Sequence, residues 1–177
     1  MRWLKTSLLV LLVFSVNYGY SQEKATVAQQ FYVMKMFKPD LKAVGVILSS
    51  ARVGKLKNRM ARAGLANGLK IVYVEVGDLH ELGDAFSTLM EHNEIGFLWI
   101  PADDPVVSTE VAMKYLLKKA VVKGIGTCVP DKRWLSVGGT LFVGVEGGRV
   151  RPYFNTRLVE AMGMKVPEKY AAFATAE

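Results

Sequence analysis

The residues best placed for chemistry in this chain are two adjacent carboxylates, Asp103 and Asp104, held between Pro101 and Pro105 in the segment Ile95–Ser108, IGFLWIPADDPVVS. An apolar run enters this turn and a helical pattern leaves it, so the pair falls at the carboxyl end of a strand. In open parallel sheets ligands collect in the crevice outside those strand ends. Asp104, directly before Pro105, is suited to capping the next helix, because proline is at home in a first helical turn. That leaves Asp103 as the freer carboxylate, available to an amine or a hydroxyl.

Three other segments should crowd onto the same edge. Ser49-Ser50-Ala51-Arg52 precedes a helix start, where free backbone amides and hydroxyls hold a carboxylate or another anion. A plain N-cap accounts for one of these serines equally well. The loop Pro130-Asp131-Lys132-Arg133-Trp134 offers a carboxylate, a guanidinium that can pair with an acid, and an indole that either covers a flat apolar ligand or belongs to a satellite of the core. Glu146-Gly147-Gly148-Arg149 supplies a further carboxylate beside two glycines able to take positive φ in a hinge or tight turn. The candidate ligand-binding residues are therefore Ser49, Ser50, Asp103, Asp131, Trp134 and Glu146.

These loops form no catalytic set. A nucleophile needs a base, and both histidines, His80 and His92, fall in helical patterns away from the strand-end edge. The chain has no Gly-x-Ser-x-Gly elbow and no Walker loop. Its first loop lacks the run of hydroxyl residues and glycine that would cradle a flavin phosphate. The single cysteine, Cys128, lies in the apolar stretch Ile125–Val129 and is expected to be a buried, inert thiol. One cysteine and two histidines cannot assemble a zinc site. Neither a metal nor a cofactor is expected, and the chain does not read as an enzyme.

The elements that must position the loops are legible from hydrophobic spacing. Val27, Phe31, Met34 and Phe37 recur every three or four positions, predicting an N-terminal helix from Glu23 to Lys38 that Pro39 ends. Apolar, β-branched runs then alternate with helical patterns. Strands are predicted at Ala43–Leu48, Leu69–Val74, Ile95–Ile100, Gly124–Val129 and Leu141–Val145, with helices at Val53–Asn67, Leu79–His92, Thr109–Val122 and Val150–Met162. That alternation marks βαβ units with right-handed crossovers. The expected fold is α/β, a three-layer sandwich around a five-stranded, mostly parallel sheet in the order 2-1-3-4-5.

Residues 1–21 carry Arg2 and Lys5, then an uncharged apolar run from Leu8 to Val16, then the small and polar residues Asn17, Gly19 and Ser21. This is the order of a cleaved secretory signal, and the apolar run is well short of the roughly 20 residues needed to span a bilayer. A periplasmic location follows as the expectation, with no transmembrane span after signal cleavage. Loss of 21 residues from 177 leaves about 156, the size of one domain with a full core. The divisions expected are a signal peptide at 1–21, an N-terminal helix at 22–40, the α/β lobe at 41–167 and a loosely packed tail at 168–177.

The net charge of +7 falls to about +5 once Arg2 and Lys5 are removed. Much of it lies at Arg52, Lys55, Lys57, Arg59 and Arg62, within one helical pattern. No aromatic residues interleave with these cations, so the segment reads as a solvated helix face and nucleic acid is not an expected partner.

With the strands and loops in order, the chain resembles the substrate-binding proteins of ABC transporters, periplasmic-binding-protein-like chains whose ligands include aromatic amino acids. Pro101, Asp103, Val106 and Ser108 match a valine-proline-x-aspartate-x-x-valine-x-serine segment of that family in register. Val44-Gly45-Val46-Ile47-Leu48 with Ser49-Ser50 is similar to its glycine-valine strand and polar loop, and Gly124-Ile125-Gly126 with Val137–Val145 to its late strands. The resemblance covers about Phe31 to Pro167 and implies ligand contacts at Ser49, Ser50, Asp103, Asp131 and Glu146. Family members close two lobes on their ligand, whereas this length makes one lobe, and Gly147 stands where the family has an aromatic residue. The resemblance thus implies a small polar or amino-acid-like ligand, an ABC permease as partner, and a homodimer that rebuilds the cleft. The alternative is a cell-envelope interaction or scaffold protein that keeps the fold without binding ligand.

Overall fold

The computed structural model describes residues 23–91 and 94–175; the signal-sequence expectation and His92 lie outside them. The elements run β1 (Glu23–Lys24), α1 (Val27–Phe37), β2 (Ala43–Ser49), α2 (Ser50–Ala66), β3 (Lys70–Val76), α3 (Leu82–Met90), β4 (Ile95–Trp99), α4 (Glu110–Lys123), β5 (Gly126–Val129), β6 (Leu141–Glu146), β7 (Arg149–Asn155), α5 (Thr156–Ala161) and β8 (Ala174–Thr175). One 3-10 turn, Lys132–Leu135, follows β5, and another, Glu168–Phe173, precedes β8.

The sheet order is β3-β2-β4-β5-β6-β7-β8, with β1 paired on β6. From β3 to β6 the neighbours are parallel, so the five expected strands take the expected order. Strand β2 is buried along its whole length, as a central parallel strand covered on both faces must be. One face packs against α1, α2 and α5 through Phe31, Met34, Phe37, Leu56, Met60 and Val159. The other packs against α3 and α4 through Leu82, Phe86, Leu89, Met113, Leu116 and Leu117. Each fully buried side chain of this size contributes about 1.5–3 kcal/mol.

Two strand glycines bring these layers together. A Cβ on Gly45 would lie 2.8 Å from Leu89 Cδ2, and one on Gly126 would lie 2.6 Å from the Phe97 ring. Alanine at either position would push a core side chain out of place.

The C-terminal part departs from the sequence expectation. Val150–Met162 is not one helix: its first half is β7, antiparallel to β6, and only Thr156–Ala161 is helical. Gly147 and Gly148 take φ of 56° and 72°, the left-handed pair that a tight hairpin turn requires, and the turn returns the chain beside β6. Pro152 is tolerated because β8 pairs only with Phe154 and Asn155, leaving the rest of that edge uncovered among the described residues. The sheet thereby gains β7 and two-residue strands at either end of the described chain, which the count of five missed. Residues 168–175 pack back on the sheet, with Tyr170 stacked on Phe37 and Phe173 edge-on to Tyr153.

At the front, α1 begins at Val27 and not at Glu23. Thr26 and Gln29 form a reciprocal capping box, with the Gln29 amide donating to Thr26 Oγ1 and the Thr26 amide to Gln29 Oε1. Glu23 and Lys24 are left to pair with Val145 and Gly144 of β6.

Candidate functional site

The loop after β4 divides the labour of its two carboxylates. Asp104 is fully buried, and its carboxylate accepts four hydrogen bonds. Its Oδ1 takes the amides of Val106 (2.9 Å) and Val107 (3.0 Å), and its Oδ2 takes the amide (2.9 Å) and the hydroxyl (3.0 Å) of Ser49. The first bonds shape the turn into α4, whose own cap is Thr109. The second pair ties the end of β2 to the end of β4. Asp104 is therefore a structural clamp between two strand-end loops, and Ser49, at 3% exposure, is engaged by it. Ser50 is exposed as the first residue of α2.

Asp103 points the other way. It adopts φ of 60°, in the left-handed region that asparagine and aspartate tolerate better than other L residues. Its exposed carboxylate accepts from Lys24 Nζ at 3.1 Å. An exposed pair of this kind contributes at most about 1 kcal/mol, so its importance lies in placing charge.

Across from it, Asp131 caps the 3-10 turn by accepting from the Arg133 amide at 2.9 Å, with Arg133 Nε at 3.9 Å. Lys24, Ala102, Asp103, Ser108, Pro130, Asp131, Arg133 and Trp134 together line a groove of about 150 Å³ on the strand-end edge. Trp134 is 6% exposed and belongs to the core against α3 and α4, so it floors the groove and does not stand over it. The Arg133 guanidinium lies 5.4 Å above its ring.

Of the six sequence-predicted residues, the structure brings Asp103, Asp131 and Trp134 into this groove, while Ser49 sits behind the clamp and Ser50 outside it. Glu146 lies at the β6–β7 hairpin, four residues beyond the Phe142 that pairs with Val129 at the end of β5. There it accepts from the Tyr153 hydroxyl. Burial, reinforced by that hydrogen bond, pushes the Tyr153 hydroxyl up to about 12. Lys132 Nζ sits 3.8 Å over the Tyr153 ring.

Sequence reasoning missed two contributors. Lys24 reaches Asp103 across 79 residues, a contact without a local signal. Gln30, on α1, lines a small niche next to the groove with Lys24, Ala102 and Pro130. Its Oε1 accepts from Trp99 Nε1 at 2.6 Å, and the Cys128 thiol lies 3.8 Å away. Cys128 is fully buried, and burial pushes its thiol up to about 12, so it is not a nucleophile at neutral pH. Among the described residues no group of three or more His, Cys, Asp or Glu side chains is arranged to hold a metal, and no helix is long and apolar enough to cross a membrane.

The architecture has counterparts among solved structures. A conserved domain protein from Vibrio cholerae superposes with a TM-score of 0.70 at 16% identity, over 86% of this chain. An ABC domain in complex with L-Trp from Streptococcus pneumoniae superposes at 0.71 and 14% identity, over 85%. A substrate-binding protein with adhesive properties from Clostridium difficile, in its ligand-free, open form, superposes at 0.67 and 17% identity, also over 85%. This chain spans 60% of the length of each of the three. The fold is that of a periplasmic-binding-protein-like lobe. No family model matches the sequence, and no curated protein does.

Proposed function

We propose that this chain is an exported, periplasmic lobe of the substrate-binding type, which takes a small polar or amino-acid-like ligand at its strand-end groove and serves an ABC permease. One observation carries the reading: two cations, Lys24 and Arg133, and two carboxylates, Asp103 and Asp131, line a single groove, so both charges of a zwitterion meet a counter-charge there. The fold shared with substrate-binding proteins supports the same use of the edge. Enzymatic turnover is not part of the reading, since the groove holds no base beside a nucleophile.

At about 150 Å³ the groove falls below the roughly 300–1,000 Å³ of ordinary ligand sites. A second copy set over the edge supplies the missing wall. A melting-temperature screen of the purified protein against free amino acids, read together with its oligomeric state, tests this. A ligand that raises the melting temperature and favours a dimer is expected; a monomer whose melting temperature no amino acid shifts overturns the reading.

The smallness of the groove also favours a second reading, a cell-envelope interaction protein that retains the fold without ligand. Under that reading, capture of a protein partner from envelope extracts survives Asp103→Ala and Ser50→Ala together.

A further inference from the structure

Helices α1 and α2 pack side by side on one face of the sheet, and neither carries an aspartate or a glutamate. On α2, Arg52, Lys55, Arg59 and Arg62 recur at spacings of three, four and three, which places them in one stripe along the helix. Leu56, Met60, Ala63 and Gly64 form the buried side. None of the four cations makes an ion pair with a described acid. Arg52 bonds only the Ala102 carbonyl, at 3.4 Å, and its buried Nε has no partner. Like charges one turn apart repel, so the stripe opposes its own helix unless an external anion neutralises it.

Two features beside the stripe indicate what that anion is attached to. Arg59 and Arg62 stand over an open groove of about 640 Å³ between the start of α1 and the second half of α2, completed by Thr26, Val27, Ala28, Ala63 and Ala66. It is a site with cations on the wall and a mainly apolar floor, the shape of an amphiphile's head and chain. The same outer surface exposes Leu65 at 85% and Tyr32 at 52%, one aliphatic and one amphipathic aromatic side chain, as membrane-interface segments do. The stripe contains no aromatic residue on which bases could stack, which disfavours nucleic acid. On the opposite face, α4 carries an acid of its own: Glu110 pairs with Lys114 at 2.6 Å, and Lys119 lies over Tyr115.

We propose that the outer surface of α1 and α2 docks on an anionic phospholipid bilayer, with Lys55, Arg59 and Arg62 on lipid phosphates and Tyr32 and Leu65 at the acyl boundary. The residues that line this groove are distinct from those that line the strand-end groove, and the contact does not depend on its ligand.

Cosedimentation of the purified full chain with neutral phosphatidylcholine vesicles, and with vesicles made roughly one-third phosphatidylglycerol, tests it. Binding to the anionic vesicles that weakens with salt is expected. Lys55→Gln/Arg59→Gln/Arg62→Gln lowers it at least about tenfold, since each cation near such a surface is worth about fivefold. Lys118→Gln/Lys119→Gln/Lys123→Gln removes the same charge from α4 and leaves binding at the parent level. All six positions are exposed, and circular dichroism checks that both variants fold. Equal loss in the two variants, parent-level binding by the α2 variant, equal binding to neutral vesicles, or binding to nucleic acid without binding to vesicles would each overturn the proposal.

Discussion

Asp104 holds Ser49 by two hydrogen bonds across 55 residues of chain, one from the amide and one from the hydroxyl, at a point where both residues are buried. This clamp fixes the first strand-end loop to the third, and so sets the distance between α2 and the acidic turn. Asp104→Ala strands the amides of Ser49, Val106 and Val107 without an acceptor. The expected cost is about 3 kcal/mol in urea denaturation, against about 1 kcal/mol for Ser49→Ala, which keeps the amide bond. Equal, small losses from both would show that Asp104 does not clamp the two loops.

Asp103 bears the opposite signature, an exposed carboxylate on a left-handed backbone. Asp103→Gly relieves the backbone and Asp103→Ala does not, so the glycine variant is more stable by about 1 kcal/mol, measured by thermal or urea unfolding. Both variants lose the partner of Lys24 and weaken ligand binding alike. A glycine variant no more stable than the alanine one would mean that φ at this residue is unstrained.

Fold and site were legible to different depths for physical reasons. The runs around Val46, Phe97 and Cys128 read as strands because parallel strands covered on both faces are continuously apolar. Strand β7 did not, because Val150, Phe154 and Leu158 recur every four residues, while the hairpin that overrides this spacing depends on Gly147 and Gly148, read as either a hinge or a tight turn. The acidic turn was found from its place after a strand, and Asp103 is the freer carboxylate of the pair, but Asp104 does not cap α4 as expected: Thr109 does, and the Asp104 carboxylate is taken by Ser49 and by the amides of Val106 and Val107. Lys24 was invisible, since its assignment to α1 hid the short pairing with β6 that swings it toward Asp103. Trp134 was readable as either cover or core, and only packing against α3 and α4 decides for core.

Cys128 gives a stability prediction with a definite sign. Its folded value of about 12 exceeds the ordinary thiol value of 9.0, so the native state binds the proton more tightly than the unfolded chain. The contribution is fully present below pH 9 and is lost between pH 9 and pH 12, at up to about 1.4 kcal/mol per unit. The parent's stability therefore declines in that window relative to Cys128→Ala, as followed by urea denaturation in alkaline buffers. Parallel curves for the two proteins would contradict the burial of the thiol.

Glu146 and Tyr153 make a second titration test. The hydroxyl donates to the carboxylate, so Glu146→Gln removes the charge that opposes phenolate formation. Ultraviolet pH titration of the variant should show one tyrosine ionising at lower pH than in the parent, while burial still holds it above an ordinary tyrosine. An unchanged titration would mean that burial alone accounts for the shift.

Binding of a small zwitterion in the groove lined by Asp103 and Asp131 is read by native mass spectrometry of the purified protein in an equimolar mixture of free amino acids. One retained amino acid is expected on the parent chain, with subunit count read in the same spectrum, and its loss from Asp103→Asn/Asp131→Asn. A parent that retains nothing, or a double variant that retains the same ligand to the same extent, would contradict it.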